Sequence, residues 1–177
     1  MKPISIIALL GLLFGCAAGG DSPDPGQMLI SWSGSSTGRE RLTGTATLCP
    51  ADSLIEIIGD SGETAFGFAW KLTTGQPSTG SWEISAPTAG EEWESSLTAA
   101  MRLIRDDAMV VRAWVSTSGE LEVLSTDAGA LTGRFSARLR ALYGADTVVV
   151  NGAFRSLRLE PAPEPCGSSG FLPPGVG

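Results

Sequence analysis

The acids best spaced for acid–base chemistry in this sequence are Glu91, Glu92 and Glu94 in "GEEWESS" and Asp106 and Asp107 in "RDDA". A general acid and a general base need carboxyls held in different environments, one shielded and one solvated. Both runs lie in polar, loop-like sequence, where solvated acids are the ordinary case. Neither "GEEWES" nor "DSPDPG" presents oxygen ligands at the spacing of a calcium loop. Histidine is absent, which removes the commonest general base, the Ser–His and Cys–His nucleophile pairs and every imidazole metal site. The serines of "WSGSSTG" and "PCGSSG" have no such partner and no strand–helix elbow to expose a nucleophile, so they read as turns. Glycine patterns that cradle phosphates or dinucleotides are missing. The sequence predicts no catalytic residue, no metal site, no cofactor and no enzyme.

Binding chemistry remains. Arg134, Arg138, Arg140, Arg155 and Arg158 fall where one outer sheet face would gather them. Such a face grips an acidic partner or a carboxylated ligand, or else is a solvated surface paired across strands with Glu120 and Glu122. Trp32, Trp70, Trp82 and Trp114 lie inside strand patterns and are expected in the core. Trp93 differs, standing among Glu91, Glu92 and Glu94. It is either a surface contact residue, with those three acids around it, or a core residue on a strand that sends its neighbours outward.

The elements that must carry these residues are strands. Period-two alternation runs through residues 28–34, 41–49, 53–59, 65–73, 80–85, 109–116, 119–125, 131–141 and 147–159. Turn clusters such as "GDSGE", "TTGQPSTG", "STSG", "STDAG" and "YGAD" separate them. On "LTGRFSARLRA" one face reads Leu131, Gly133, Phe135, Ala137, Leu139, and the other Thr132, Arg134, Ser136, Arg138, Arg140. In "TVVVNGAFRSLRL" both faces are apolar, which implies a central strand or a bulge near Gly152. Residues 93–104 fit a helix or a strand, and the neighbouring strands favour a strand over 98–104. The predicted fold class is all-β, an antiparallel sandwich or small barrel of about nine or ten strands with at most one short helix. A filled interior would mark a scaffold or binding protein, and an open cavity the alternative, a carrier of a small hydrophobic ligand as in lipocalin-like proteins.

The N-terminus sets the compartment. Lys2 is followed by an uncharged apolar run, Ile4 to Phe14, which spans about 16 Å as a helix, too short to cross a membrane. A charged start, a short apolar stretch and small residues read as a secretory signal. Leu13, Gly15 and Cys16 in "LLFGC" resemble the lipobox of bacterial lipoprotein precursors. That resemblance implies a signal peptide over 1–15, a lipid (palmitate among its acyl chains) on Cys16, and an envelope location. Ala17, not Asp, after the cysteine implies the outer membrane in a Gram-negative host. Residues 119–159, with "LTGRF" and "VNGAF", also resemble the closing meander of secreted bacterial β-rich lipoproteins, a likeness that implies no activity. Residues 16–27 read as a flexible tether, 28–166 as one β domain and 167–177 as a disordered tail. With Cys16 lipidated, Cys49 and Cys166 are left, and in an oxidising compartment they are expected to form a disulfide. The chain holds 12 basic and 19 acidic residues. An acidic balance excludes a nucleic-acid partner and leaves the lipid as the membrane attachment. A partner among envelope proteins fits a binding or scaffolding role. The oligomeric state stays open.

Overall fold

The computed structural model describes residues 22–87, 97–105 and 110–162. Nine strands follow one another: β1 (Gln27–Gly34), β2 (Gly38–Cys49), β3 (Leu54–Asp60), β4 (Thr64–Lys71), β5 (Gly80–Ser85), β6 (Leu97–Arg105), β7 (Val110–Ser125), β8 (Ala130–Ala141) and β9 (Thr147–Pro161). Among the described residues the one helical element is a single 3-10 turn, Asp127–Gly129. The segment that fits helix and strand alike is a strand, β6, over Leu97–Arg105.

The strands close on themselves. Antiparallel pairing runs β1–β2–β3–β4–β6–β7–β8–β9 and back to β1. The architecture is therefore a barrel of eight strands with β5 as a ninth, and the sandwich expectation gives way to closure. Closure satisfies both edges of each wall strand, which a sandwich leaves open at its ends.

Inside and outside follow the sequence pattern. On β8 the buried residues are Leu131, Gly133, Phe135, Ala137 and Leu139, and those between them face out. Trp70 and Trp114 are buried, and Trp32 and Trp82 pack partly buried against the same core, as expected. An eight-stranded barrel has an interior just wide enough for side chains to fill. Here aromatic rings fill its middle. Phe66 stacks on Phe135 with centroids 4.7 Å apart, and Phe68 stands edge-on to both at 5.1 and 4.9 Å. Ile30, Ile57, Met101, Trp114 and Val150 belong to the same buried cluster.

Three features depart from the sequence reading. Residues 109–116 and 119–125 were expected as two strands with "STSG" as the turn between them. They form one strand, β7, and "STSG" is a bulge between Ser116 and Ser118 that leads into Gly119 at φ 154°. The reason is pairing. One edge of β7 runs along β8 from Trp114 to Ser125, across the bulge, while its other edge pairs with β6 over Val110–Val115 and with β5 over Ser118–Val123. Second, the irregularity of β9 lies around Ser156, at φ 49°, opposite Thr132, whose hydroxyl accepts the Ser156 N–H at 3.0 Å. Gly152 is instead a packing glycine, since a Cβ there would stand 2.5 Å from the Phe135 ring. Third, beyond the start of β1 the strands β2 and β9 meet directly in parallel, Ala46 to Leu48 against Leu159 to Pro161.

β5 and β6 share one track. Both run in the same direction along the same edge of β7, so together they make one wall strand broken between Ser85 and Leu97. The break is stitched by Ser116, buried beside it. Its hydroxyl donates to the Ser85 carbonyl at 2.6 Å and accepts the Ala99 N–H at 3.0 Å. The Ser85 hydroxyl adds a donation to the Leu97 carbonyl at 3.4 Å.

Candidate functional site

The outward residues of β7, β8 and β9 build a groove on the barrel wall. Glu120 and Glu122 stand on β7, Arg134 and Ser136 on β8, and Asn151 on β9. Register places Glu122 opposite Arg134, Glu120 opposite Ser136, and Ser136 opposite Asn151. The small Ser136 side chain between longer neighbours makes the trough, and Phe135 and Gly152 form part of its floor. Its volume is about 380 Å³ and it is open to solvent.

Arg134 lies against Glu122, its Nε donating to a carboxylate oxygen. That hydrogen bond, then the charge of Glu122 and more weakly that of Glu120, raises the Arg134 pKa above its ordinary value. The guanidinium is thus charged at every pH of interest. This is the cross-strand pairing expected of a solvated arginine face, made by one of its five members. β5 brings a third acid to this edge, for Glu83 is the register partner of Glu120. Like charges directly opposite repel, so Arg134 offsets an acidic rim.

Among the described residues no three Cys, Asp or Glu residues stand together as a metal site. No helix among them is long and apolar enough to cross a membrane. The outward residues of β8 are Arg134, Ser136, Arg138 and Arg140, the reverse of the apolar outer band that a membrane-spanning barrel presents.

The remaining sequence candidates fall as follows. Cys16, Glu91, Glu92, Trp93, Glu94, Asp106, Asp107 and Cys166 lie outside the described residues. Cys49 is buried at the end of β2 and is disulfide-bonded. The C-terminal end of β9 runs beside it, with Pro161 opposite Leu48 and the Ala162 N–H donating to the Leu48 carbonyl at 2.8 Å. Sequence reasoning missed Ser116. Its signal was weak: a serine in the inward register of a strand, between Trp114 and a glycine-containing stretch.

The chain matches no family model, no curated protein and no solved structure.

Proposed function

We propose that this protein is a lipid-anchored component of a bacterial cell envelope, attached through Cys16, that binds or scaffolds with the outside of its barrel and catalyses nothing. The observation that carries the outward reading is the stack of Phe66, Phe68 and Phe135 across the barrel's middle. A carrier of a small hydrophobic ligand needs that volume empty. The groove described above opens on the outer wall.

Anchoring draws its support from the chain ends. β1 begins and β9 ends at the same end of the barrel, where β2 and β9 run side by side. A tether over 16–27 would leave from that end and hold the hairpins at 34–38, 60–64 and 141–147 away from the membrane. The pairing of Cys49 with Cys166 has similar support. Ala162 sits beside Leu48, and four further residues reach at most about 14 Å, ample to bring Cys166 to Cys49.

Two measurements test the proposal. In detergent phase separation the wild-type chain enters the detergent phase and Cys16→Ser stays in water; wild-type protein in the aqueous phase ends the anchor. Titration with 1-anilinonaphthalene-8-sulfonate and with a fluorescent fatty acid gives no saturable binding; stoichiometric uptake of either into the barrel ends the outward reading and restores the carrier.

A further inference from the structure

Charge on this barrel is segregated. β8, β9, β1 and β2 are consecutive in the wall. Their outward positions carry seven arginines: Arg134, Arg138 and Arg140 on β8, Arg155 and Arg158 on β9, Arg39 and Arg41 on β2. The same strands hold two acids. Glu40 is paired in register with the core residue Ile30 and so lies on the interior side, and Glu160 is the last residue but one of β9. A chain that is acidic as a whole thus keeps one strongly basic wall.

The arginines form lines. Across the strands, Arg41, Leu29, Ala153 and Arg134 stand in one register row, and Arg39, Ser31, Asn151 and Ser136 in the next. Along the strands, the ladder runs from Arg158, opposite Ala130, to Arg140, opposite Thr147. That is about 34 Å at some 3.4 Å per residue. Arg134 pairs with Glu122, and Arg41 approaches Asp24 at 3.9 Å. Arg138, Arg140, Arg155 and Arg158 make no ion pair among the described residues. Each of those four keeps five N–H donors free.

What lies between the arginines decides the partner. Gln27, Ser31, Ser33, Ser136 and Asn151 are small polar groups on the outward rows. The large apolar side chains exposed among the described residues, Val111, Leu124 and Tyr143, lie elsewhere, on β7 and in the turn after β8. A protein interface is built round a desolvated apolar core; the outward apolar residues of this wall, Leu29, Val149 and Ala153, are three and already half-buried, too few to make one. A flat lipid surface touches a convex wall along a line only. An extended polymer can follow the ladder, bend with the wall, and take hydrogen bonds from the serines and the amide as well as charge from the guanidinium groups.

We infer that the outer wall of β8, β9, β1 and β2 binds an extended anionic polysaccharide, a chain of sugar repeats bearing phosphate, sulfate or carboxylate groups, along this arginine ladder. The inference rests on the reading that the protein binds with its outside. Heparin, a sulfated polysaccharide, is the probe, titrated into the full chain in non-ionic detergent, with neutral dextran and poly-glutamate as comparisons. Heparin binds at 0.1 M NaCl, and its affinity falls steeply as salt rises, because the contacts are exposed charges. The quadruple exchange Arg138→Gln, Arg140→Gln, Arg155→Gln, Arg158→Gln weakens binding at least tenfold and leaves the melting temperature unchanged. The single exchanges, which keep the fold safe, weaken it two- to threefold each. Absence of heparin binding, a quadruple variant within twofold of wild type, or poly-glutamate bound as tightly as heparin overturns the inference. If heparin fails while the interior still excludes the hydrophobic probes, this inference falls alone; uptake of those probes is what would remove the outward reading.

Discussion

Replacing Ser116 with alanine removes a single oxygen, yet it should cost more than most core truncations of that size. The hydroxyl satisfies two backbone groups at once, the Ser85 carbonyl at 2.6 Å and the Ala99 N–H at 3.0 Å. Ala99 is almost fully buried, and no water can replace the lost acceptor without opening the wall. An orphaned buried donor costs about 1–3 kcal/mol. The Ser85 carbonyl is only partly buried, so its loss belongs near the lower end, at about 1 kcal/mol. Together the expected destabilisation is about 2–4 kcal/mol, a large share of a stability of roughly 5–15 kcal/mol. Urea unfolding followed by tryptophan fluorescence measures it, with Ser118→Ala, exposed on the same strand, as the control. The slope against urea should not change, because the unfolded surface is the same. The Ala99 amide should also exchange with solvent much faster than in wild type. A loss under about 0.5 kcal/mol would refute the claim that this hydroxyl holds the broken strand together.

Other consequences follow from packing and covalent closure. Phe66→Ala deletes the ring stacked on Phe135 and should cost about 3–5 kcal/mol. If the variant folds, the same cavity should now admit a small apolar ligand, detected by saturable binding of a benzene-sized probe that wild type ignores. Gly152→Ala forces a methyl to within 2.6 Å of the Leu29 carbonyl and 2.5 Å of the Phe135 ring, so about 1–3 kcal/mol or more should be lost in a urea melt. Cys166→Ser should lower stability by about 2–4 kcal/mol under non-reducing conditions and by nothing in reductant; peptide mapping that joins Cys49 to any other cysteine refutes the pairing. Trp93→Ala should leave the melting temperature nearly unchanged if Trp93 is a surface contact, and lower it sharply if the residue is core.

Much of the barrel was legible because half-buried strands announce themselves. The alternation on residues 131–141 placed every inward and outward residue of β8, and the arginine face followed from it. Closure was not legible. Nothing local distinguishes the last strand of a sandwich from one that returns to pair with β1, as β9 does over Val148–Arg155. The long β7 was hidden for a different reason. "STSG" has turn chemistry, and only the partners on each side, β5 and β6 sharing one edge, keep the chain extended through it. The groove shared this fate. Glu120 and Glu122 were foreseen as partners of the arginines, whereas Asn151 joined them only once β8 and β9 were in register.

The break between β5 and β6 changes what this wall can accept. In an ordinary barrel, extra residues inside a strand destroy hydrogen bonds on both edges and shift every side chain beyond them. Here the departure at Ser85 and the return at Leu97 are already joined by Ser116, and the register along β7 resumes on either side. The clamps themselves lie outside the intervening stretch, so lengthening it at its joins costs little closure entropy, which grows only with the logarithm of length. For the protein engineer it is a graft point: a foreign peptide spliced between Ser85 and Leu97 would be displayed from the side of a rigid cylinder, with both of its ends already clamped.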